Sequence, residues 1–217
     1  MKYGKSIWIL LFSLIITLSS CSFATKGDFI GKYKNPKKAL LVMDIQNDFT
    51  SPNAKMPVDS IQATDMIKNI NSILEQSEHH NYLVVYIRNE FGKGNFIANI
   101  FRNYAAIKGS PGAEFDKRLK VINNNYFSKD EPDAFSSEKL NEFLTANQVD
   151  ELYICGVFAD QCVYWTSRGA LNRKYKVNII EDCVATDDDK AKLKAIEKYK
   201  ENGINVISST ELINKGS

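Results

Sequence analysis

The stretch LYICGVFADQCVYWTSRGALNRKYKVNII, residues 152–180, decides the fold class. The apolar run at 152–157 predicts a buried strand, the pattern at 161–172 predicts a helix, and 176–180 predicts a second strand. A strand, a helix and a strand in succession form a βαβ unit with parallel strands. The stretch also raises a question, because Cys162 stands where the helix is predicted to begin. A cysteine there is either a small core residue or a nucleophile.

The same alternation of strands and helices extends over most of the chain. Further strands are predicted at 38–45, 82–87, 121–127 and 204–207. Further helices are predicted from Ser60, which would cap the first of them, and at 95–104, 135–147, 188–201 and near Thr210. We therefore predict an α/β fold, with a doubly wound, mostly parallel sheet of about six strands and helices on both faces.

The first 37 residues are predicted to lie outside this domain. Residues 1–21 have lysines at the start, an apolar run at 7–18 and small residues before Cys21, which is typical of a lipoprotein signal peptide. In that class the cysteine is lipidated, which predicts an exported protein anchored in a membrane, at the periplasmic face or cell surface. Ser22 favours the outer membrane where the cell has one. The alternatives are an ordinary signal peptide or an uncleaved anchor.

The remainder divides into two predicted parts. Residues 22–37 are polar, basic and rich in turn formers, which predicts a flexible tether. Residues 38–217 are predicted to form one domain. The chain has 28 Lys and Arg against 26 Asp and Glu, and these charges are interleaved. No basic stripe is visible, which disfavours nucleic acid as a partner.

Three cysteines follow Cys21, namely Cys155, Cys162 and Cys183. An exported protein can pair two of them, and an odd count leaves at least one thiol unpaired in the monomer. Cys155 lies inside an apolar run and Cys183 just after one, where a cysteine is typically a small buried hydrophobe.

Polar residues follow several predicted strands. Asp44 ends the first strand, Glu90 follows the second, Lys129 follows the third, and the 156–162 segment follows the fourth. Since ligands of such sheets bind at the carboxyl ends of the strands, these residues are predicted to share one site.

The residue types at this edge are compatible with nucleophilic catalysis. A thiol has an ordinary pKa of about 8.5, which a helix N-terminus or a nearby cation lowers. Lys129 would supply the cation, and Asp44 would accept the proton of Cys162. Each residue alone has an ordinary structural interpretation, and their convergence favours a function.

Four motifs resemble the isochorismatase-like cysteine hydrolases: LLVMDIQNDF (40–49), KGSPGAEFDKRL (108–119), NNYFSKDEPDAFSSEKLNEFL (124–144), and the segment that runs from LYICGVF to IIEDCVA (152–185). The resemblance implies that Asp44 is a general base, Lys129 the cation of a triad and Cys162 the nucleophile. It also implies a cis peptide at Val157–Phe158 and an oxyanion hole formed by the backbone N–H groups of Phe158 and Cys162.

The resemblance also suggests which reaction to expect. Isochorismatases of the family replace the nucleophile, so retention of Cys162 indicates hydrolysis of a small-molecule amide or ureide through a thioester. Nicotinamidases of the family bind a metal through an Asp-x-His pair and a further histidine. This chain has only the adjacent His79 and His80, so we expect no metal, no other cofactor and no nicotinamidase activity.

The substrate pocket is less well defined by the sequence. Phe49, Phe91 and Trp165 are candidates for its apolar wall, and Arg88 and Glu90 are candidates for orienting a polar substrate. The family often forms dimers or larger assemblies, so a homo-oligomer is compatible with the resemblance. Two rival functions are a non-catalytic ligand-binding or interaction lipoprotein on the same fold, and a thiol redox or surface-interaction protein that would pair Cys162 with Cys155 or Cys183.

Overall fold

A computed structural model describes residues 22–77 and 81–214, and these residues form a six-stranded parallel sheet. The strands are β1 (Lys37–Met43), β2 (Leu83–Asn89), β3 (Tyr126–Lys129), β4 (Val149–Val157), β5 (Lys176–Ala185) and β6 (Asn205–Ile207). Their order in the sheet is β3-β2-β1-β4-β5-β6, and every neighbouring pair is parallel. The predicted fold class is confirmed.

The helices cover both faces of the sheet. They are α1 (Asn47–Thr50), α2 (Ser60–Gln76), α3 (Phe96–Phe101), α4 (Glu138–Ala146), α5 (Tyr164–Asn172), α6 (Asp189–Glu201) and α7 (Ser209–Asn214). Two 3₁₀ turns, Pro111–Ala113 and Ala134–Ser136, and one π-helical turn, Ala159–Val163, complete the regular structure. Across the described part of the chain, none of these helices has the length and apolar character needed to span a bilayer.

Burial on both faces explains the apolar run of β1. Leu40 and Val42 belong to a core that includes Met66 and Ile70 of α2. Ala39, Leu41 and Met43 belong to a second core on the opposite face, together with residues of α4 to α6. A strand that is covered on both sides has a continuous run of apolar residues rather than an alternation of apolar and polar residues.

Two boundaries differ from the sequence-based expectation in informative ways. The third strand was predicted at 121–127 but forms at Tyr126–Lys129. The side chains of Asn123 and Asn125 both donate to the carbonyl of Val84, at 3.1 and 3.2 Å, so the polar stretch binds the edge of β2 without forming a strand. The helix predicted to be capped by Ser60 is capped instead by Asp59, whose carboxylate accepts two backbone N–H bonds.

The sheet has its topological switch point between β1 and β4. From β1 the chain builds outward through β2 and β3, and then returns to place β4 on the other side of β1. The connections that leave β1 and β4 diverge there and open a crevice at the carboxyl ends of the strands. Asp44 and the 156–162 segment leave the sheet at this point.

The segment expected to be a flexible tether is docked on the domain over part of its length. Residues 22–36 contain no helix or strand. The backbone N–H and the hydroxyl of Thr25 both donate to the buried carboxylate of Asp133, at 2.7 Å each. The Arg173 guanidinium donates to the Thr25 hydroxyl at 2.9 Å, and the Ile30 N–H donates to the Arg173 carbonyl at 2.9 Å. We call residues 23–30 the N-terminal strap. The predicted signal peptide and Cys21 lie outside the described residues.

Gly27 tests whether the strap contributes to stability. A Cβ at Gly27 would lie 2.6 Å from the guanidinium of Arg173, which is buried and bonded to the strap. We expect Gly27→Ala to lower the free energy of unfolding by about 1–3 kcal/mol, since Arg173 must shift. Gly31→Ala is the matched control, because its Cβ would have only one neighbour, at 3.8 Å. Thermal unfolding measures the difference, and equal midpoints for the two variants would contradict a docked strap.

Candidate active site

Asp44, Lys129 and Cys162 come from three different strand ends and meet at the crevice. The Lys129 ammonium lies 3.0 Å from a carboxylate oxygen of Asp44. It also lies 3.3 Å from the sulfur of Cys162. The side chains of Lys129 and Asp44 are 0% and 1% exposed, so water does not screen their interaction. The structure therefore brings together the three residues that the sequence suggested.

Asp44 reaches the site through an unusual turn at the end of β1. Its φ is +57°, in the left-handed region that side-chain-bearing residues rarely adopt. The Asp44 N–H donates to the carbonyl of Ile87 at 2.8 Å, which ties the turn to β2. Backbone strain of this kind costs about 1–3 kcal/mol and persists where the surroundings impose it, frequently at functional sites.

Asn89 holds Lys129 from the other side and was not predicted as a site residue. Asn89 and Lys129 are paired in the register of β2 and β3. The side-chain oxygen of Asn89 accepts from the Lys129 ammonium at 2.7 Å, and its side-chain nitrogen lies 3.8 Å from the Cys162 sulfur. The sequence signal was its position at the end of β2, but only the register shows that it faces Lys129.

Gln46 is a second residue that the sequence reasoning missed. Its side chain is fully buried and forms two hydrogen bonds with the backbone of Asn89, both 2.8 Å long. Its amide nitrogen also donates to the carbonyl of Ala113 at 2.7 Å. Gln46 thereby joins the turn after β1 to the end of β2 and holds Asp44 and Asn89 at a constant separation.

The end of β4 depends on a glycine. Gly156 has a φ of +119°, and a Cβ there would lie 1.9 Å from the carbonyl oxygen of Met43. The absence of a side chain lets β4 approach β1 just before Asp44. The peptide Val157–Phe158 is cis, as the family resemblance implied. The π-helical turn that follows carries Cys162 and continues directly into α5.

The loop after Lys129 is bound to the helix that follows Cys162. The backbone N–H of Ala134 donates to the hydroxyl of Thr166 at 2.8 Å. The carboxylate of Asp133 lies so close to α5 that a Cβ at Gly169 would be 2.1 Å from it. These contacts hold the two elements that carry Lys129 and Cys162 in a defined relative position.

Burial determines the protonation of the site. It raises the pKa of the Cys162 thiol, an effect that Lys129 opposes and Asp44 reinforces. It also raises the pKa of the Asp44 carboxyl, against the effect of Lys129. For Lys129, burial disfavours the charged form, but Asp44 and Cys162 outweigh it and raise its pKa. The direction of the shift is therefore opposite to the lowered thiol pKa expected from the sequence, because loss of solvation outweighs the effect of Lys129.

A cleft of about 370 Å³ opens at Cys162. Phe49, Phe91 and Phe158 line it, and the rings of Phe49 and Phe158 meet edge to face at 5.6 Å. Arg102 and Asp160 are among its polar lining residues. This volume suits a small ligand. The structure thus places the two predicted phenylalanines, Phe49 and Phe91, on the cleft wall.

The other predicted pocket residues lie elsewhere. Arg88 pairs with Glu90 at 3.4 Å and with Glu114 at 2.9 Å, and neither Arg88 nor Glu90 lines the cleft. Trp165 is also absent from the lining, because its ring packs against Phe23 and Tyr164. The prediction of Glu90 and Trp165 as pocket residues is therefore corrected. Strand-end charge and aromatic character did not show which way these side chains point.

The described residues do not fit the metal site of the nicotinamidases. Within 22–77 and 81–214, no group of three or more His, Cys, Asp or Glu side chains could hold a metal ion. His79 and His80 lie outside the described residues. Cys155, Cys162 and Cys183 are all free thiols. Cys155 and Cys183 are fully buried, whereas Cys162 is partly exposed.

Comparison with known proteins gives a consistent result. A family model described as an Isochorismatase domain matches residues 38–211. Streptothricin hydrolase of Streptomyces noursei is 30% identical over 70% of this chain, which spans 56% of that protein's length. The structure of an isochorismatase-like hydrolase from Alkaliphilus metalliredigens has a TM-score of 0.77 at 22% identity, covering 83% of this chain and 100% of that one. The pyrazinamidase of Pyrococcus horikoshii, solved in complex with zinc, has a TM-score of 0.70 at 27% identity, covering 80% of this chain and 99% of its own.

Lys129 and Asp44 have opposite effects on the pKa of the Cys162 thiol, and two single substitutions can measure these effects separately. Lys129→Met removes the cation that lowers the pKa of Cys162, so the pH profile of its iodoacetamide alkylation should move to higher pH. Asp44→Asn removes the negative charge that raises that pKa, so the profile should move to lower pH. Peptide mass mapping locates the label.

Cys155 and Cys183 act as internal controls in this experiment. Both are fully buried and should remain unlabelled while the protein is folded. Profiles that move in the same direction, or that do not move while both controls stay unlabelled, would contradict the proposed coupling of the three groups.

Proposed function

The chain belongs to the isochorismatase family, and from that premise we propose that it is a cysteine hydrolase that cleaves a C–N bond of a small-molecule amide or ureide. The single observation that carries the proposal is the buried Lys129–Asp44 pair in contact with Cys162. A buried ion pair is costly to maintain, and here it borders a thiol at the base of a cleft. This arrangement activates a nucleophile.

The first chemical step transfers a proton and forms a bond. Asp44 accepts the proton of the Cys162 thiol, for which its raised pKa suits it better than an ordinary carboxylate. The sulfur attacks the substrate carbonyl carbon, and the carbonyl electron pair moves onto oxygen. Lys129, 3.3 Å from the sulfur, stabilises the negative charge that passes through the thiolate.

The tetrahedral intermediate then collapses. Asp44 returns its proton to the departing nitrogen, the C–N bond breaks, and an acyl thioester remains on Cys162. A water molecule, deprotonated by Asp44, hydrolyses the thioester and restores the thiol. The backbone N–H groups of Phe158 and Cys162 are the proposed oxyanion hole. The first belongs to the cis peptide, and the second lies in the π-helical turn that follows it. No step requires a metal.

The cleft supports a small substrate with an apolar part. Phe49, Phe91 and Phe158 provide aromatic walls close to Cys162. Two of the proteins similar to this chain are named streptothricin hydrolase and pyrazinamidase, and these names support hydrolase chemistry on small molecules. We further propose that the chain is exported and anchored through a lipid on Cys21, on the evidence of residues 1–21.

Turnover of a panel of small amides and ureides tests the function. Cys162→Ala should reduce the hydrolysis rate of any accepted substrate by about 10³-fold or more, because the covalent route is lost. Glu90→Gln is the matched control, since Glu90 is a nearby acid that does not line the cleft, and it should keep the rate within about twofold. A substrate hydrolysed equally well by the Cys162→Ala variant would contradict a cysteine mechanism.

A further inference from the structure

A patch of exposed apolar side chains lies on and beside α3. We call Phe96, Ile97, Ile100, Phe101 and Tyr104 the apolar patch; their exposed fractions are 63%, 71%, 52%, 86% and 41%. Single exposed apolar residues are ordinary, but a contiguous group of this size marks an interaction surface. The fold alone does not account for it, because a short surface helix normally turns its large apolar side chains inward.

The segment that carries the apolar patch has basic residues and no acidic ones. Residues 91–113 contain Lys93, Arg102 and Lys108 and no aspartate or glutamate. Elsewhere the chain interleaves both signs, with 28 basic and 26 acidic residues in all. Exposed aromatic and aliphatic side chains beside basic residues match a membrane interface that contains anionic lipids.

Residues next to the apolar patch and next to the contact point of the N-terminal strap line the cleft. Arg102, at the end of α3, is one of the residues that line it. Pro132 lines it as well, and the neighbouring Asp133 binds Thr25 of the strap. Only three residues separate Thr25 from Cys21. Four peptide units span at most about 14 Å, so a lipid on Cys21 would keep this side of the domain close to the bilayer.

We propose that the apolar patch docks on the surface of an anionic lipid bilayer, so that the cleft beside it lies at the membrane interface. Under the proposed function, on which this last point rests, the substrate class is an amphiphilic amide that reaches Cys162 from the lipid surface.

A second copy of the chain is the competing occupant, and charge disfavours it. A twofold interface places the same surface of each subunit against the other. It would bring the exposed Lys93 and Lys108 of each copy towards the same basic surface of its partner, and like charges at an interface cost free energy. An anionic bilayer neutralises the same residues.

Fluorescence quenching by lipid tests the proposal with the lipidated protein reconstituted in vesicles. Phe101→Trp places a reporter at the most exposed position of the apolar patch. Leu193→Trp is the matched control, since Leu193 is 66% exposed on α6, outside the apolar patch. The vesicles contain phosphatidylcholine and phosphatidylglycerol with brominated acyl chains, and the unsubstituted lipidated protein, whose signal peptide with Trp8 has been removed, corrects for Trp165.

We expect the Phe101→Trp emission to be quenched at least twofold more than that of Leu193→Trp, and less so in vesicles of phosphatidylcholine alone. Equal quenching of the two reporters would overturn the proposal. So would a Phe101→Trp emission that depends on protein concentration in detergent without vesicles, which would assign the apolar patch to a second copy. Since the measurement uses no substrate, its failure is distinguishable from failure of the proposed hydrolase function.

Discussion

The buried ion pair between Lys129 and Asp44 is the interaction on which the rest of the site depends. Both side chains are almost completely excluded from water, and their charged atoms lie 3.0 Å apart. Loss of either partner would leave an uncompensated buried charge, which typically costs about 3–5 kcal/mol. The pair therefore constrains its surroundings. Asp44 must occupy a left-handed turn, and Asn89 must offer its side-chain oxygen to the ammonium at 2.7 Å.

The architecture of the sheet makes this pair possible. The three groups of the site come from the ends of β1 and β3 and from the turn after β4, on both sides of the switch point. Gly156 lets β4 lie against the carbonyl of Met43, and Gln46 joins the ends of β1 and β2. Asp133 then links the loop after Lys129 to α5 and to the N-terminal strap. The strap is thus connected to the active-site scaffold through Asp133, and it also contacts α5 and its C-terminal end through Trp165 and Arg173.

Much of this was predictable from the sequence because it depends on local patterns. Apolar runs alternating with helical periodicity indicated the parallel sheet, and the rule that ligands bind at strand ends brought Asp44, Lys129 and Cys162 together. Asn89 and Gln46 were missed because their roles depend on strand register and side-chain direction. Glu90 and Trp165 were assigned to the pocket for the same reason, since position in the chain does not show which way a side chain points.

The protonation of Cys162 shows a different limit of sequence reasoning. A helix N-terminus and a nearby lysine favour a thiolate, and both features were visible in the sequence. The limited solvation of the sulfur at the base of the cleft and the carboxyl of Asp44 both oppose the thiolate, and only the structure shows that desolvation is the largest effect. The strap was interpreted as a tether because its composition is polar, whereas its docking depends on partners more than a hundred residues away.

Intact-protein mass spectrometry tests whether Cys162 forms the proposed covalent acyl intermediate. The chain would be mixed with p-nitrophenyl acetate, whose activated carbonyl reports acylation without the natural substrate, and quenched in acid at short times. We expect one acetyl group per chain, mapped to Cys162 and absent from Cys162→Ala. Release of p-nitrophenol with no acetyl group on Cys162, or equal acetylation of the Cys162→Ala variant, would contradict the proposed intermediate.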